Sequence, residues 1–420
     1  MLDIKFIRQN PKLVREKSKQ KGYDVDVEKL IKVDEERRKL IEEVDQIRSK
    51  RKKIAEQRDE KKGQELKKEL KDKEDKLEKL QEEFYFLIRE VPNMPLDDVP
   101  IGKDESDNKS IKKWGKPKKY DFKVKDYHDL GEDLKIIDTQ TASKVAGSRF
   151  GYIKGELVQL EFALNQFALD LLTNEEEIRR IASGYNAKPF IPVIPPVMVK
   201  PQVLDQMARL EPKEERYYLE KDNLYLIGSA EHALGPIHIN ETLDEKDFPI
   251  RYVGFSASFR REAGSYGKDT RGIFRVHQFD KLEIESFTLP QDSVKEQDFI
   301  VKIQEYLMQA LGIPYQIVLI CTGDMGAPDA RQIDIEAWFP AQGKYRETHT
   351  ADLMTDYQAR RLNTKVKRKN GASEFVHMND ATVFAQRTLL AIMENYQQKD
   401  GSILVPKALQ KYTNFTKIPA

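Results

Sequence analysis

One cysteine in 420 residues, Cys321, is too few for an internal disulfide or for a zinc site built from several thiolates. Set in the apolar run QIVLICTG, it reads as a small buried hydrophobe. The six histidines show no metal-ligand spacing, so no zinc is expected. Long hydrophobic runs are missing too. No stretch approaches a membrane span, and the first residues, MLDIKFIRQN, carry no apolar targeting segment. The expectation is a soluble, cytoplasmic protein with no membrane partner. Charge of one sign is also lacking: 72 Lys and Arg stand against 71 Asp and Glu. Bulk electrostatics therefore advertise no nucleic acid, and any attraction to RNA must be local.

What is present falls into two parts, as the length suggests. After a short helical lead-in over 1–24, apolar residues step by four and three through Val33, Leu40, Val44, Ile47 and Ile54, with Arg37 and Arg51 in the same register. Beyond Lys62-Gly63 a second ladder runs through Leu66, Leu70, Leu77, Leu80, Phe84, Leu87 and Val91, with Lys73 on its seam. This predicts two helices in an antiparallel coiled coil over about 27–91, with Gly63 at the tip and charged residues nearly everywhere off the seam. The segment PNMPLDDVPIGKDESDN then reads as a proline-rich linker, and the expected division is 1–105 and 106–420. In the second part, residues 156–182 predict one amphipathic helix carrying Leu157, Leu160, Leu164, Phe167 and Leu171 on a face, followed by a strand from Phe190. Residues 292–312 predict another such helix, and strands and turns alternate after it, so the class is α+β.

The most informative stretch is 255–285, FSASFRREAGSYGKDTRGIFRVHQFDKLEIE. Gly264, Gly267 and Gly272 favour two strands joined by a long turn over a helix. On an extended second strand Arg275, His277, Phe279, Lys281 and Glu283 would share a face. Guanidinium forks, an aromatic ring and carboxylates on one surface suit a nucleotide, although a salt-bridged surface hairpin would look similar.

The run FRREAGSYGKDTRGIFRVHQFDKLE resembles motif 2 of class II aminoacyl-tRNA synthetases, in the version of the seryl-tRNA synthetase family, bacterial type. The resemblance extends nearly end to end. The helix and strand over 156–196 resemble motif 1, which implies a homodimer. HMNDATVFAQRTLLAIMENYQ resembles motif 3, with its arginine at Arg387. The implied fold is a mixed, mainly antiparallel sheet flanked by helices, with the coiled coil as a tRNA-binding arm separable over Val33–Val91. The implied activity is serine–tRNA ligation: L-serine and ATP give seryl-adenylate, which is transferred to tRNA-Ser, with the selenocysteine tRNA a further implied partner.

The resemblance also implies residue roles. Arg260 and Arg387 would be catalytic. Serine would meet Ser229, Ala230, Glu231, Arg260, Glu283 and the position of Ala381. ATP would meet Arg260, Arg261, Glu262, Arg275, Val276, Phe279, Glu347, Thr348, His349, Thr350 and Arg387, with Phe279 below the adenine and Arg387 above it. Mg²⁺ accompanying ATP would be held by Glu347 and Thr350. His277 reads as structural, because this reaction demands no general base.

Besides a mild change at Ser229, where the family has Thr, three positions depart from the family pattern. His349 stands at a Ser position, Leu353 at an Asn, and Ala381 where a Ser or Thr is common, with Thr382 adjacent. These motivate one alternative, a non-catalytic paralogue acting as an RNA- or protein-binding factor. Intact Arg260, Glu283, Glu347 and Arg387 favour the enzyme.

Overall fold

A computed structural model describes residues 1–57, 59–263 and 271–420. Gly264 and Gly267, expected in the long turn, lie outside the described residues.

The heptad ladders become α1 (Val27–Gln57) and α2 (Glu60–Glu90). Pairs at Lys29–Glu83 (2.9 Å), Glu43–Lys73 and Arg48–Glu74 (2.8 Å) link the two helices in antiparallel register. The second helix already begins at Glu60, ahead of the Lys62-Gly63 tip expected from the sequence. Asp59 accepts from Lys62 N at 3.1 Å and so caps α2. A capping carboxylate is a stronger start signal than a glycine is a stop, and Gly63 is carried inside the first turn.

The seam divides into two apolar clusters. Val44, Ile47 and Leu70 form one toward the tip. Val33, Phe84, Ile88 and Val91 form the other with Val14, Val27 and Leu30, and Tyr357 joins them from far along the chain. The Tyr357 hydroxyl also donates to Val91 O at 2.9 Å. The base of the arm is therefore part of a core shared with the body, and only the distal half stands apart. The proline-rich segment is likewise strapped down. Asn93 N donates to Ala327 O (2.8 Å), Leu96 N to Ala330 O (2.9 Å) and Thr322 N to Pro100 O (2.9 Å). Prolines lacking a donor limit helix and strand there, but their neighbours still find partners.

The body contains β1 (Lys109–Trp114), α3 (Glu156–Leu172), α4 (Glu175–Ile181), β2 (Ile191–Val193), β3 (Ile250–Phe259), β4 (Gln278–Thr288), α5 (Ser293–Ala310), β5 (Tyr315–Leu319), β6 (Arg331–Phe339), β7 (Lys344–Thr355), β8 (His377–Ala385) and α6 (Gln386–Tyr396). The single helix expected over 156–182 is two, because Asn174 accepts from Glu176 N and Glu177 N and starts α4. The strands form one eight-stranded sheet in the order β1-β5-β6-β7-β8-β4-β3-β2. Neighbours are antiparallel except β2, which runs parallel to β3. α5 lies against the sheet with Phe299, Ile300, Ile303 and Leu307 fully buried. Two buried amides on α5 satisfy carbonyls of the sheet. Gln304 Nε2 donates to Thr350 O (2.7 Å) and Thr382 O (2.8 Å), and Gln297 Nε2 to Arg331 O (2.9 Å) and Ala351 O (2.7 Å). The opposite face of β7, β8 and β4 is left for the site.

Candidate active site

A cavity of about 200 Å³ opens on that face. Its walls come from β4, β7, the end of β8 and the first turn of α6, closed by the 209 and 228–231 segments. Strand register decides which residues reach it. On β7, Ile335 pairs with His349 while Glu336 pairs with Glu347, so Thr348 is the extra residue. The alternation resets there, and Glu347, Thr348 and Thr350 all line the cavity. His349 points the other way. It is fully buried against Phe384, with Nδ1 2.8 Å from Thr348 Oγ1, and burial pushes its pKa down to about 3. The structure therefore does not bring this side chain to the cavity, against its expected place among the ATP contacts.

On β8, Glu283 pairs with Thr382 and Leu282 with Phe384, leaving Val383 extra. Ala381 packs in the core, whereas Thr382 lines the cavity with Oγ1 3.4 Å from Thr350 Oγ1. The hydroxyl absent at Ala381 is thus present one residue later. Leu353 is buried outright, opposite Asn379.

β3 and β4 pair antiparallel from Gln278–Phe259 onward. Because β4 starts at Gln278, Arg275 and His277 are not on the strand, and the expected shared face is reduced to Phe279, Lys281 and Glu283. Arg275 still reaches the cavity, from the turn, and its Nη1 lies 3.2 Å from Glu262 Oε2. Glu262 has φ 51°, an uncommon conformation for a residue with a Cβ, here spent on aiming a carboxylate at the cavity. His277 sits between the rings of Phe150 and Tyr217, with Nδ1 2.9 Å from Arg260 O. That is the structural position expected of it. Arg261 is turned to the outside, with Nε donating to Arg216 O (2.9 Å) and its guanidinium 4.5 Å from the Tyr217 ring centre. It does not line the cavity.

Arg260 is held from one edge. Its Nε donates to Gly228 O at 2.9 Å and the guanidinium lies 5.3 Å from the Phe279 ring centre. Arg387 stands in the first turn of α6, 3.0 Å from Glu347 Oε2 and 4.8 Å from the ring centre of Phe274, another lining residue. Burial works against the Glu347 charge, but the Arg387 contact holds its carboxyl below the usual range. Val276 completes this end.

At the other end Ser229 and Glu231 line the cavity, and Ala230 between them is fully buried. Ser229 Oγ bonds Glu283 Oε2, Glu231 N donates to the same oxygen (3.1 Å), and Lys281 Nζ reaches both Ser229 Oγ (3.0 Å) and Glu283. Arg209 Nε lies 3.0 Å from Glu231 Oε1. Burial opposes the Glu231 charge, yet Arg209 and His232 hold its carboxyl well below the usual range. Arg209, Phe274, Lys281, Asp352, Thr382 and Gln386 line the cavity without having been singled out as site residues in the sequence. Lys281 was on the predicted face. Arg209 and Asp352 carried no local signal.

One end of the cavity thus offers arginines and rings, and the other a carboxylate-rich floor. Residues 1–95 match the family model of the seryl-tRNA synthetase N-terminal domain, and residues 216–396 that of the tRNA synthetase class II core domain (G, H, P, S and T). The serine–tRNA ligase of Thermodesulfovibrio yellowstonii is 39% identical over 430 residues, covering 98% of both chains. That of Dictyoglomus turgidum is 41% identical over 434 residues, covering 100% of this chain and 99% of its own. Among solved structures, the seryl-tRNA synthetase of Pyrococcus horikoshii complexed with ATP is similar at TM-score 0.89 and 39% identity over 100% of both chains. The cytoplasmic serine–tRNA ligase of Naegleria fowleri in complex with AMP is similar at TM-score 0.88 and 31% identity, over 100% of this chain and 99% of that one.

Proposed function

The chain belongs to the seryl-tRNA synthetase family, and on that premise we propose how its own residues divide the work of serine–tRNA ligation. The protein is an ATP-dependent, AMP-forming ligase: it activates L-serine and transfers it to tRNA. The observation that carries the assignment is the single cavity joining Ser229 and Glu231 to Arg260, Phe279, Glu347 and Arg387. In the first step the serine carboxylate attacks the α-phosphorus in line and pyrophosphate leaves. In the second the terminal ribose hydroxyl of tRNA attacks the activated carbonyl, loses its proton, and AMP leaves. Neither step needs a strong general base; both need alignment and offset of negative charge. Arg260 meets the α-phosphate, Arg275 and Arg387 the outer phosphates, Phe279 the base and Glu262 its amino group. Glu231 and Ser229 hold the substrate ammonium, and Glu283 with Thr382 faces its hydroxyl.

Glu347 and Thr350 present carboxylate and hydroxyl oxygens on one wall, a hard donor set that fits Mg²⁺. When bound there the ion would offset phosphate charge. The division into a helical tRNA-binding part (1–105) and a catalytic part (106–420) is supported by the tip cluster standing apart from the body. The same arm would read any tRNA with a long variable arm, the selenocysteine tRNA included. Among the described residues no helix is long and apolar enough to cross a membrane.

Serine-dependent ATP–pyrophosphate exchange tests the assignment. Exchange should require Mg²⁺ and should not proceed with alanine, which lacks the hydroxyl that Glu283 and Thr382 face. Absence of exchange with serine would overturn it. Homodimer assembly is supported by Phe162, Ile191 and Ile194 around α3 and β2, which are 61%, 51% and 88% exposed. Light scattering at micromolar concentration should give a dimer, and a fully active monomer would refute this.

A further inference from the structure

The floor beneath the amino-acid end holds more acid than serine needs. Asp380 on β8 is directly opposite Asp352 on β7 and directly opposite Glu285 on β4. Three carboxyls thus stand side by side across three strands, an arrangement that ordinarily destabilises a sheet. All three are at least nine-tenths buried. Asp329 and Glu231 add two more. The one guanidinium among them is Arg209, at 3.0 Å from Glu231, 3.3 Å from Asp380, 3.7 Å from Asp329 and 4.0 Å from Asp352.

Arg209 leaves oxygens of that set unanswered, even with Lys281 and Lys21 nearby. Asp352 Oδ1, Asp329 Oδ1 and both carboxyl oxygens of Glu285 have no hydrogen-bond partner among the described residues. Asp352 lines the cavity, so one carboxyl of the row reaches the amino-acid end, with its unpartnered Oδ1 buried just behind the wall. Burial, reinforced by acidic neighbours, pushes Asp352, Asp380 and Glu285 well above the usual carboxylate range. A hydroxyl side chain brings at most one donor and no charge to this floor. Its ammonium is already answered by Glu231 and Ser229. A floor of carboxyls at the amino-acid end of the cavity suits an organic cation with several N–H donors.

We propose that this row takes a second ammonium, and that the enzyme activates L-2,3-diaminopropionate, the serine analogue with an amine in place of the hydroxyl, alongside serine. The proposal rests on the reading above, that this end of the cavity receives the amino acid. An amine replaces a hydroxyl without added bulk, so the small cavity is no obstacle. It gives three donors where serine gives one, and a charge where acids are unmatched. The chemistry is unchanged: the carboxylate attacks the α-phosphorus, pyrophosphate leaves, and an aminoacyl-adenylate with a free side-chain ammonium remains.

The test is pyrophosphate exchange on the full-length protein with L-serine, L-2,3-diaminopropionate and L-alanine, at about pH 6, where both amines carry protons. The expected kcat/KM for the diamino acid is within about tenfold of serine's or above it. Exchange with serine but more than about tenfold less with the diamino acid overturns the proposal and leaves the serine assignment standing. Exchange with neither overturns both. Asp352→Asn should lower the diamino acid-to-serine ratio by about tenfold or more, and an unchanged ratio in folded protein removes the acidic row as its cause. If that variant does not fold, the wild-type comparison decides alone.

Discussion

Arg260→Ala is expected to reduce serine-dependent pyrophosphate exchange by about a hundredfold or more, with a smaller change in the KM for serine. The guanidinium is anchored at one edge by Gly228 O, 2.9 Å from Nε, and steadied by the Phe279 ring. Its terminal nitrogens are thereby pre-aimed into the cavity at no cost in reorganisation when charge builds on the α-phosphate. An interaction that strengthens in the transition state appears in kcat; one equally strong in the ground state appears in KM. Arg260→Lys should recover little, since a point charge on a flexible stem cannot hold Gly228 O and still present a fork. The loss of the Gly228 contact could also disturb the Ser229–Glu231 segment, so melting temperature and serine binding are measured on the same variant. Near-wild-type exchange in Arg260→Ala would remove this arginine from the mechanism.

Much of the site was readable because its chemistry is local. Arg260, Glu262, Arg275, Phe279 and Lys281 lie within one hairpin, and the residue types announce phosphate and base. What escaped was set by register and by distance along the chain. The resemblance put His349 among the ATP contacts with its neighbours on both sides; the bulge at Thr348 brings Glu347, Thr348 and Thr350 to the cavity and leaves His349 turned inward. A bulge has no residue signature, and it shifts a face by one position. On β8, regular alternation through Asp380, Ala381 and Thr382 puts Thr382, not Ala381, on the cavity face. Arg209 comes from a loop more than a hundred residues from Asp329, Asp352 and Asp380, and nothing in its flanking sequence signals that it will be buried among carboxyls. The helix ends show the limits of pattern in another way. Period alone ran 156–182 together as one helix, while the capping side chain of Asn174 divides it.

Shortening the arm should separate the two half-reactions completely, provided the cut respects the structure. Deleting the whole seam from Val33 to Val91 would remove Val33, Phe84, Ile88 and Val91 from the cluster shared with Val14, Val27, Leu30 and Tyr357, exposing core that belongs to the body. The cut therefore runs from Leu40 to Leu77, with Lys39 and Glu78 bridged by a short glycine-containing turn. This takes out the tip cluster of Val44, Ile47 and Leu70, with Leu66 and Leu77 packed on it, as one unit. It also removes Lys50, Lys52, Lys53, Lys61 and Lys62, all exposed on the distal half. Those cations stand far out on helices of 31 residues each, roughly 45 Å long at 1.5 Å per residue, where only a large ligand can touch both arm and cavity. Contacts of this kind meet phosphates and read shape more than sequence, so they carry salt-dependent affinity. Exchange in the shortened protein should stay within about threefold of full length, because no cavity residue is touched, while tRNA charging should fall by about a hundredfold or more. Single Lys→Ala changes at the tip should each flatten the salt dependence of tRNA binding by about one unit or less. Exchange lost in a folded, shortened protein would mean that the arm supports the cavity. Charging that survives the cut would mean that tRNA is read elsewhere, on the body, and that the distal coil serves another partner.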